Sequence, residues 1–220
     1  MTPDEYDAWY ETPRGRWIGT TEFALLARLL ELRPGETLLD VGCGTGYFTR
    51  HFAGSGSGWV AGIDRDEAAV RYARKHGTAN SAFVCGDAQR LPFPERSFDT
   101  VASVTALCFM EDERMALAEM LRVARRRIAV GLLNRRSLLY LAKGRRGGSG
   151  GYRGARWHSY ANVRKLFAGL PVGNLKLNSA VFLPGGGELA RWAEPCLARW
   201  LGRHGAFIAA SADKQASDPL

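Results

Sequence analysis

Cysteine is scarce in this 220-residue chain: four, at positions 43, 85, 108 and 196, with no C-x-x-C. Such wide spacing excludes a disulfide framework and a cysteine-built metal centre, so no metal is expected and the thiols read as reduced, as in a cytoplasmic protein. No apolar run reaches the roughly 18 residues that suggest a membrane span. The opening Met-Thr-Pro-Asp-Glu-Tyr-Asp is acidic and polar, unlike a secretory signal. No internal repeat is visible. Acid, finally, is missing from one long stretch. Between Met120 and Gly187 stand fourteen Arg or Lys and no Asp or Glu, which leaves sixteen basic and twenty-two acidic residues elsewhere, a balance of −6 within a net charge of +8. An asymmetry of that size needs a partner or a place to explain it: an anionic small molecule, a membrane surface, a nucleic acid, or a loop whose arginines are simply solvated.

What is present centres on Thr37-Leu-Leu-Asp-Val-Gly-Cys-Gly-Thr-Gly-Tyr-Phe48. An apolar strand closes on Asp40, passes through Gly42, Gly44 and Gly46, and enters a helical pattern at Phe48 and Phe52. A strand, a glycine turn and a helix make the first half of a nucleotide-binding βαβ unit. The glycines let a ligand lie against the main chain without meeting a Cβ. A second apolar run, Trp59 to Ile63, ends on Asp64, about where a carboxylate accepts both hydroxyls of a ribose. A dinucleotide fingerprint wants glycine where Tyr47 stands. It also sets a pyrophosphate at the helix N-terminus. Asp40 already places negative charge there, which repels a second anion and welcomes a ligand bearing an ammonium and a sulfonium. That chemistry favours S-adenosylmethionine over NAD.

At these residues the sequence resembles the class I S-adenosylmethionine-dependent methyltransferases, in particular the small single-domain group that includes ubiquinone/menaquinone-pathway C-methyltransferases. The motifs cover residues 37–135, and the remainder follows by general plan. The resemblance implies a doubly wound, mostly parallel seven-stranded sheet of order 3-2-1-4-5-7-6, with the last strand antiparallel. It implies that Asp87 and Ala88 contact an adenine and that Thr105 lies near the methionine moiety. With Asp40 reaching the amino group, Gly42, Cys43 and Gly44 in the turn, and Asp64 with its neighbour Arg65 at the ribose, these form the expected cofactor set.

In chain order, residues 1–19 carry Tyr6, Trp9, Tyr10 and Trp17 ahead of a helix capped at Thr20 or Thr21, and read as a lid over the carboxyl edge of the sheet. Further strands are expected at 81–85, 98–104, 127–133, 175–183 and 205–210. Helices are expected from Asp66, Asp112 and Ser159, and over 188–204. The connection 134–158, rich in glycine and arginine, reads as a mobile basic loop. Residues 184–204 form a helical insertion with Leu189, Trp192, Cys196 and Trp200 on one stripe, bent at Pro195. Such tryptophans read as core or as a contact with a second copy. One domain, 1–210, is followed by a frayed tail, 211–220.

Methyl transfer asks the protein mainly to align nucleophile and methyl in a dry pocket, which can be worth roughly 7–11 kcal/mol. The cofactor motifs are therefore silent on the acceptor. Its pocket is expected from 6–17, 134–158 and 184–204. Tyr6, Tyr10, Trp17, Trp157 and Tyr160 are candidate lid residues, and His158 is the candidate base. The reading is a methyltransferase of a small-molecule acceptor, an anion if the arginines face it, in the cytoplasm. A membrane surface is compatible, without insertion. The alternative is an RNA-modifying enzyme using the basic 120–187 region with Tyr152 and Trp157, although no separate RNA-binding module is visible.

Overall fold

The structure, a computed structural model, describes residues 2–215. Its first two helices are each opened by a Thr-Pro pair. Thr2 caps α1 (Pro3–Glu11) in a reciprocal box with Glu5, and Thr12 caps α2 (Pro13–Leu30) by accepting from the Gly15 amide. Threonine at the cap with proline at the first helical position is a strong start signal. The aromatic N-terminus is therefore two helices, and α2 begins well before Thr20 and Thr21. Those hydroxyls instead donate back to the Arg16 and Trp17 carbonyls inside α2.

Strands β1 (Leu38–Val41), β2 (Val60–Asp64), β3 (Ser81–Cys85), β4 (Phe98–Val104) and β5 (Ala124–Leu133) pair in parallel; β7 (Phe207–Lys214) runs antiparallel between β5 and β6 (Val172–Ala180). The order is β3-β2-β1-β4-β5-β7-β6, as the resemblance implied. All four side chains of β1 are buried, as a strand with a neighbour on each edge and helices on each face requires. The covering helices are α3 (Tyr47–Ala53), α4 (Glu67–His76), α5 (Glu113–Val123), α6 (Tyr160–Phe167) and α7 (Glu188–Trp200). Leu117, Met120, Val163 and Phe167 from α5 and α6 share one core with the sheet. Leu26, Leu30 and Phe52 from α2 and α3 share another.

Several expected boundaries move, β5 opening at Ala124 and α7 closing at Trp200 among them. Strand β7 continues to Lys214, because residues 211–213 still pair with β5 and Lys214 with Val172. The expected tail at 211–220 is thus strand as far as Lys214, and 216–220 lies outside the described residues. Strand β6 starts earlier and ends at Ala180, because Val181 turns to a φ of 64°. The 134–158 connection folds into short helical turns at 140–144, 145–147 and 150–152, and is tied back where the Arg135 amide donates to His158 O at 2.8 Å.

Close packing at the β5–β7 seam gives a direct check. A Cβ on Gly131 would lie 2.2 Å from Phe207 Cζ. Gly131→Ala should therefore cost about 1–3 kcal/mol in urea unfolding, the range for overfilling a packed core.

Candidate active site

The turn after β1 is fixed by main-chain bonds. The Gly42 and Cys43 amides both donate to Ile63 O, at 2.7 and 3.0 Å. Gly42, Gly44 and Gly46 take φ of 76°, 51° and 80°, which side chains with a Cβ rarely adopt. The Asp64 carboxylate closes the turn by accepting from Gly44 N at 2.8 Å and Asp66 N at 2.9 Å. Around it lies a cavity of about 240 Å³ whose walls include Gly42, Gly44, Asp64, Arg65, Asp87, Ala88 and Thr105. Seven of the expected cofactor residues thus share one space.

The other two, Asp40 and Cys43, lie underneath it. Cys43 is buried against Phe83 and Gly62, and burial pushes its thiol well above the usual range. Asp40 is also buried. Its Oδ2 accepts from the Thr49 hydroxyl at 2.7 Å, while Oδ1 has no partner. Burial, with the Asp64 charge as a smaller contribution, pushes its carboxyl up to about 7, against the pull of the Thr49 bond. An unpaired buried acceptor costs about 1–3 kcal/mol. A cationic group, reached directly or through water, would relieve it. Together with a wall that lacks a Cβ at Gly44 and a carboxylate at Asp64, these residues fit S-adenosylmethionine.

A second cavity, of about 260 Å³, adjoins the first and shares Tyr6, Thr105 and Phe109 with it. Thr105 sits at a φ of 56°, unusual for a residue with a Cβ. Aromatic rings, Trp9, Tyr10 and Tyr152 among them, make much of the wall; Arg14 and Lys143 add cations and Glu22 the one acid. No hydrogen bond to the Glu22 carboxylate is found among the described residues. Desolvation by burial pushes this carboxyl up to about 8.

The lid helix is clamped over both spaces. Asp7 takes a bidentate bond from Arg50 at 2.8 and 2.9 Å and a further bond from Thr45. Tyr10 stacks on Tyr47 with centroids 3.7 Å apart. Tyr47, the residue that departs from a dinucleotide fingerprint, is therefore the seat of α1.

Tyr6 and Tyr10 reach the cavities, and the other lid candidates do not. Trp17 is buried in the core beneath α2, Trp157 packs on Tyr140 and Tyr152, and the Tyr160 hydroxyl donates to Gly202 O. His158 is not in either cavity wall. It is buried with Nε2 3.1 Å from Glu113 Oε2, while Arg156 Nε lies 3.6 Å from the other carboxylate oxygen. Its backbone continues the sheet beside Leu133 and Asn134, which carries the side chain inward. Glu22 escaped the sequence reading, yet it had a signal. It falls at helical spacing from Ile18, Leu25, Leu26 and Leu29, half-buried beside the buried stripe of α2, where a lone carboxylate is out of place. The basic run is also partly consumed. Arg122, Arg125, Arg126, Arg127, Arg156 and Lys176 all pair with acids outside it.

Comparison with known proteins bears on the family and the fold. The model of a family described as a methyltransferase domain matches residues 39–127. The uncharacterized protein Rv2003c of Mycobacterium tuberculosis is 32% identical over 223 residues, covering 97% of this chain and 73% of its own. A malonyl-[acyl-carrier protein] O-methyltransferase of Erwinia pyrifoliae is 39% identical over 101 residues, 44% of this chain and 38% of its own. Among solved structures, a SAM-dependent methyltransferase of Thermotoga maritima superposes with a TM-score of 0.73 at 23% identity, covering 96% of this chain and 95% of that one.

Two outcomes are expected. His158→Leu should lower stability by about 1–3 kcal/mol through the lost partner of Glu113, while binding of cofactor, followed by calorimetry, stays unchanged. Asp40 and Glu22 have raised carboxyls, at about 7 and about 8. The folded protein then holds protons that the unfolded chain has released, so their contribution is full at low pH and is lost as pH rises toward about 8. Asp40→Asn should therefore raise the melting temperature of the ligand-free protein at pH 8 by more than at about pH 4.5.

Proposed function

The chain belongs to the class I S-adenosylmethionine-dependent methyltransferases, and from that premise we propose that it methylates a small-molecule acceptor held in the Glu22 cavity. One observation carries the reading: the two cavities meet at Tyr6, Thr105 and Phe109. When bound, S-adenosylmethionine supplies a methyl carbon already activated by its sulfonium. Asp64 holds the ribose hydroxyls, Asp87 and Ala88 take the adenine, and the unpaired oxygen of Asp40 draws the ammonium. Tyr6 and Phe109 seat the reacting atoms and keep water out of the junction.

The acceptor side follows from the wall of the second cavity. Aromatic rings favour an apolar, flat or chain-like body. Arg14 and Lys143 favour an anionic group on it. Glu22 takes the proton that the attacking oxygen, nitrogen or carbon must lose, and a carboxyl pushed up to about 8 by burial suits that task near neutral pH. Such an acceptor agrees with the finer resemblance to ubiquinone/menaquinone-pathway C-methyltransferases. An RNA acceptor suits the geometry less well, because the space is roofed by α1 and the arginines that suggested nucleic acid are partly committed to ion pairs.

S-adenosylhomocysteine should bind in calorimetry and NAD should not. Asp64→Ala should weaken that binding by about 2–4 kcal/mol, the loss of charge-assisted hydrogen bonds. Screening extracts with a labelled methyl donor would yield the acceptor. With it in hand, Glu22→Gln should lower kcat by about 10²-fold or more, abolish the rise of rate with pH and leave S-adenosylhomocysteine affinity unchanged. A Glu22→Gln enzyme as fast as the parent across the pH range would remove Glu22 from the chemistry.

A further inference from the structure

Helix α7 presents an apolar stripe that none of the described residues covers. Leu189, Trp192 and Trp200 are 81%, 79% and 81% exposed, and Leu201 and Cys196 are exposed beside them. Scattered apolar residues on a surface are ordinary, but two tryptophans and two leucines on one 13-residue helix and its cap are not. Arg191, Arg199 and Arg203 stand among them, also exposed. Of the two acids on the helix, Glu194 is turned inward to accept from the Val181 and Phe182 amides. Glu188 is exposed, so three outward arginines stand against one outward acid and the outward charge is net positive.

We propose that this face docks on the surface of an anionic lipid bilayer. Tryptophan and leucine on one side of a helix with arginine around them is the pattern of helices that lie in the headgroup region. Rings of tryptophan favour that boundary, and arginines meet the lipid phosphates. A second copy of the chain fits less well. A two-fold contact through this face would bury the apolar stripe but leave the arginines around it without an acidic counterpart on this face other than Glu188.

The helix is also joined to the acceptor cavity. Glu194 holds Val181, a wall residue forced to a φ of 64°. Gly186 rests on Arg14, and Arg191 donates to Pro13 O at the α1–α2 junction. Exposed Leu138 and Leu141 lie on the basic connection whose Lys143 lines the same cavity. A bilayer at α7 therefore lies next to the space the acceptor would occupy, but the docking itself stands independently of the methyl-transfer reading.

Sedimentation with vesicles tests it. The protein should pellet with vesicles of phosphatidylcholine plus phosphatidylglycerol, much less with phosphatidylcholine alone, and less as salt is raised. Trp192→Ser with Trp200→Ser should reduce partitioning about tenfold or more, without changing the melting temperature, since both rings are exposed. Arg199→Glu, a second exposed change, should weaken it in the same direction. Tryptophan emission of the parent should shift to the blue on anionic vesicles. Failure to pellet with either vesicle, or equal partitioning by the double variant, would overturn the proposal. So would sedimentation of the parent as a dimer that the double variant dissolves, because the face would then belong to a second copy.

Discussion

Both cavities depend on one polar clamp. Asp7 of α1 receives two bonds from Arg50 and one from Thr45, the first two residues binding it from the turn and helix that follow β1. Tyr10 adds a ring stacked on Tyr47. These contacts pull α1 over the carboxyl edge of the sheet, where ligands of open α/β folds gather. Tyr6 then borders both spaces, and Trp9 and Tyr10 border one. Without the clamp the edge would be an open shelf, and the drying that makes an aligned displacement effective would be lost.

Under that roof the chain holds carboxylates that its own residues leave incompletely paired. Asp40 is buried with one oxygen orphaned, and Glu22 is half-buried in the wall of the second cavity. A buried acid of this kind lowers stability at the pH where the enzyme works. Positive charge meets the opposite treatment. Arg127 is buried between Asp213 and Glu31, joining β5, β7 and the end of α2. The lopsided charge of the sequence thus separates into arginines that brace the sheet and others left on the connection after β5.

The β-strand core was legible because its apolar runs end on signals that have a single physical reading: Gly42 to Gly46 after β1, Asp64 after β2, Gly86 and Asp87 after β3. The grouping of residues around the Asp64 cavity was legible for the same reason, since a main-chain turn and strand-end acids sit where topology puts them. The Glu22 cavity was not. Its walls come from residues far apart in sequence, such as Glu22, Phe109, Tyr152 and Val181, and only packing brings them together. His158 misled because a histidine beside aromatic residues looks like a base, whereas the strand-like path of its backbone turns the ring onto Glu113. Thr2-Pro3 and Thr12-Pro13 carried the helix starts that the aromatic content obscured. The α7 stripe was visible as a pattern, but a pattern does not reveal whether the fold covers it, and here the fold leaves it bare.

The central claim is that one space holds the cofactor, the adjoining one holds the acceptor, and they meet at Tyr6, Thr105 and Phe109. A crystal structure with S-adenosylhomocysteine tests it most directly. The account predicts ribose hydroxyls on Asp64, adenine beside Asp87 and Ala88, and the sulfur facing the junction with the Glu22 cavity open beyond it. A sulfur turned away from that junction, or a ligand seated in the Glu22 cavity itself, would contradict it.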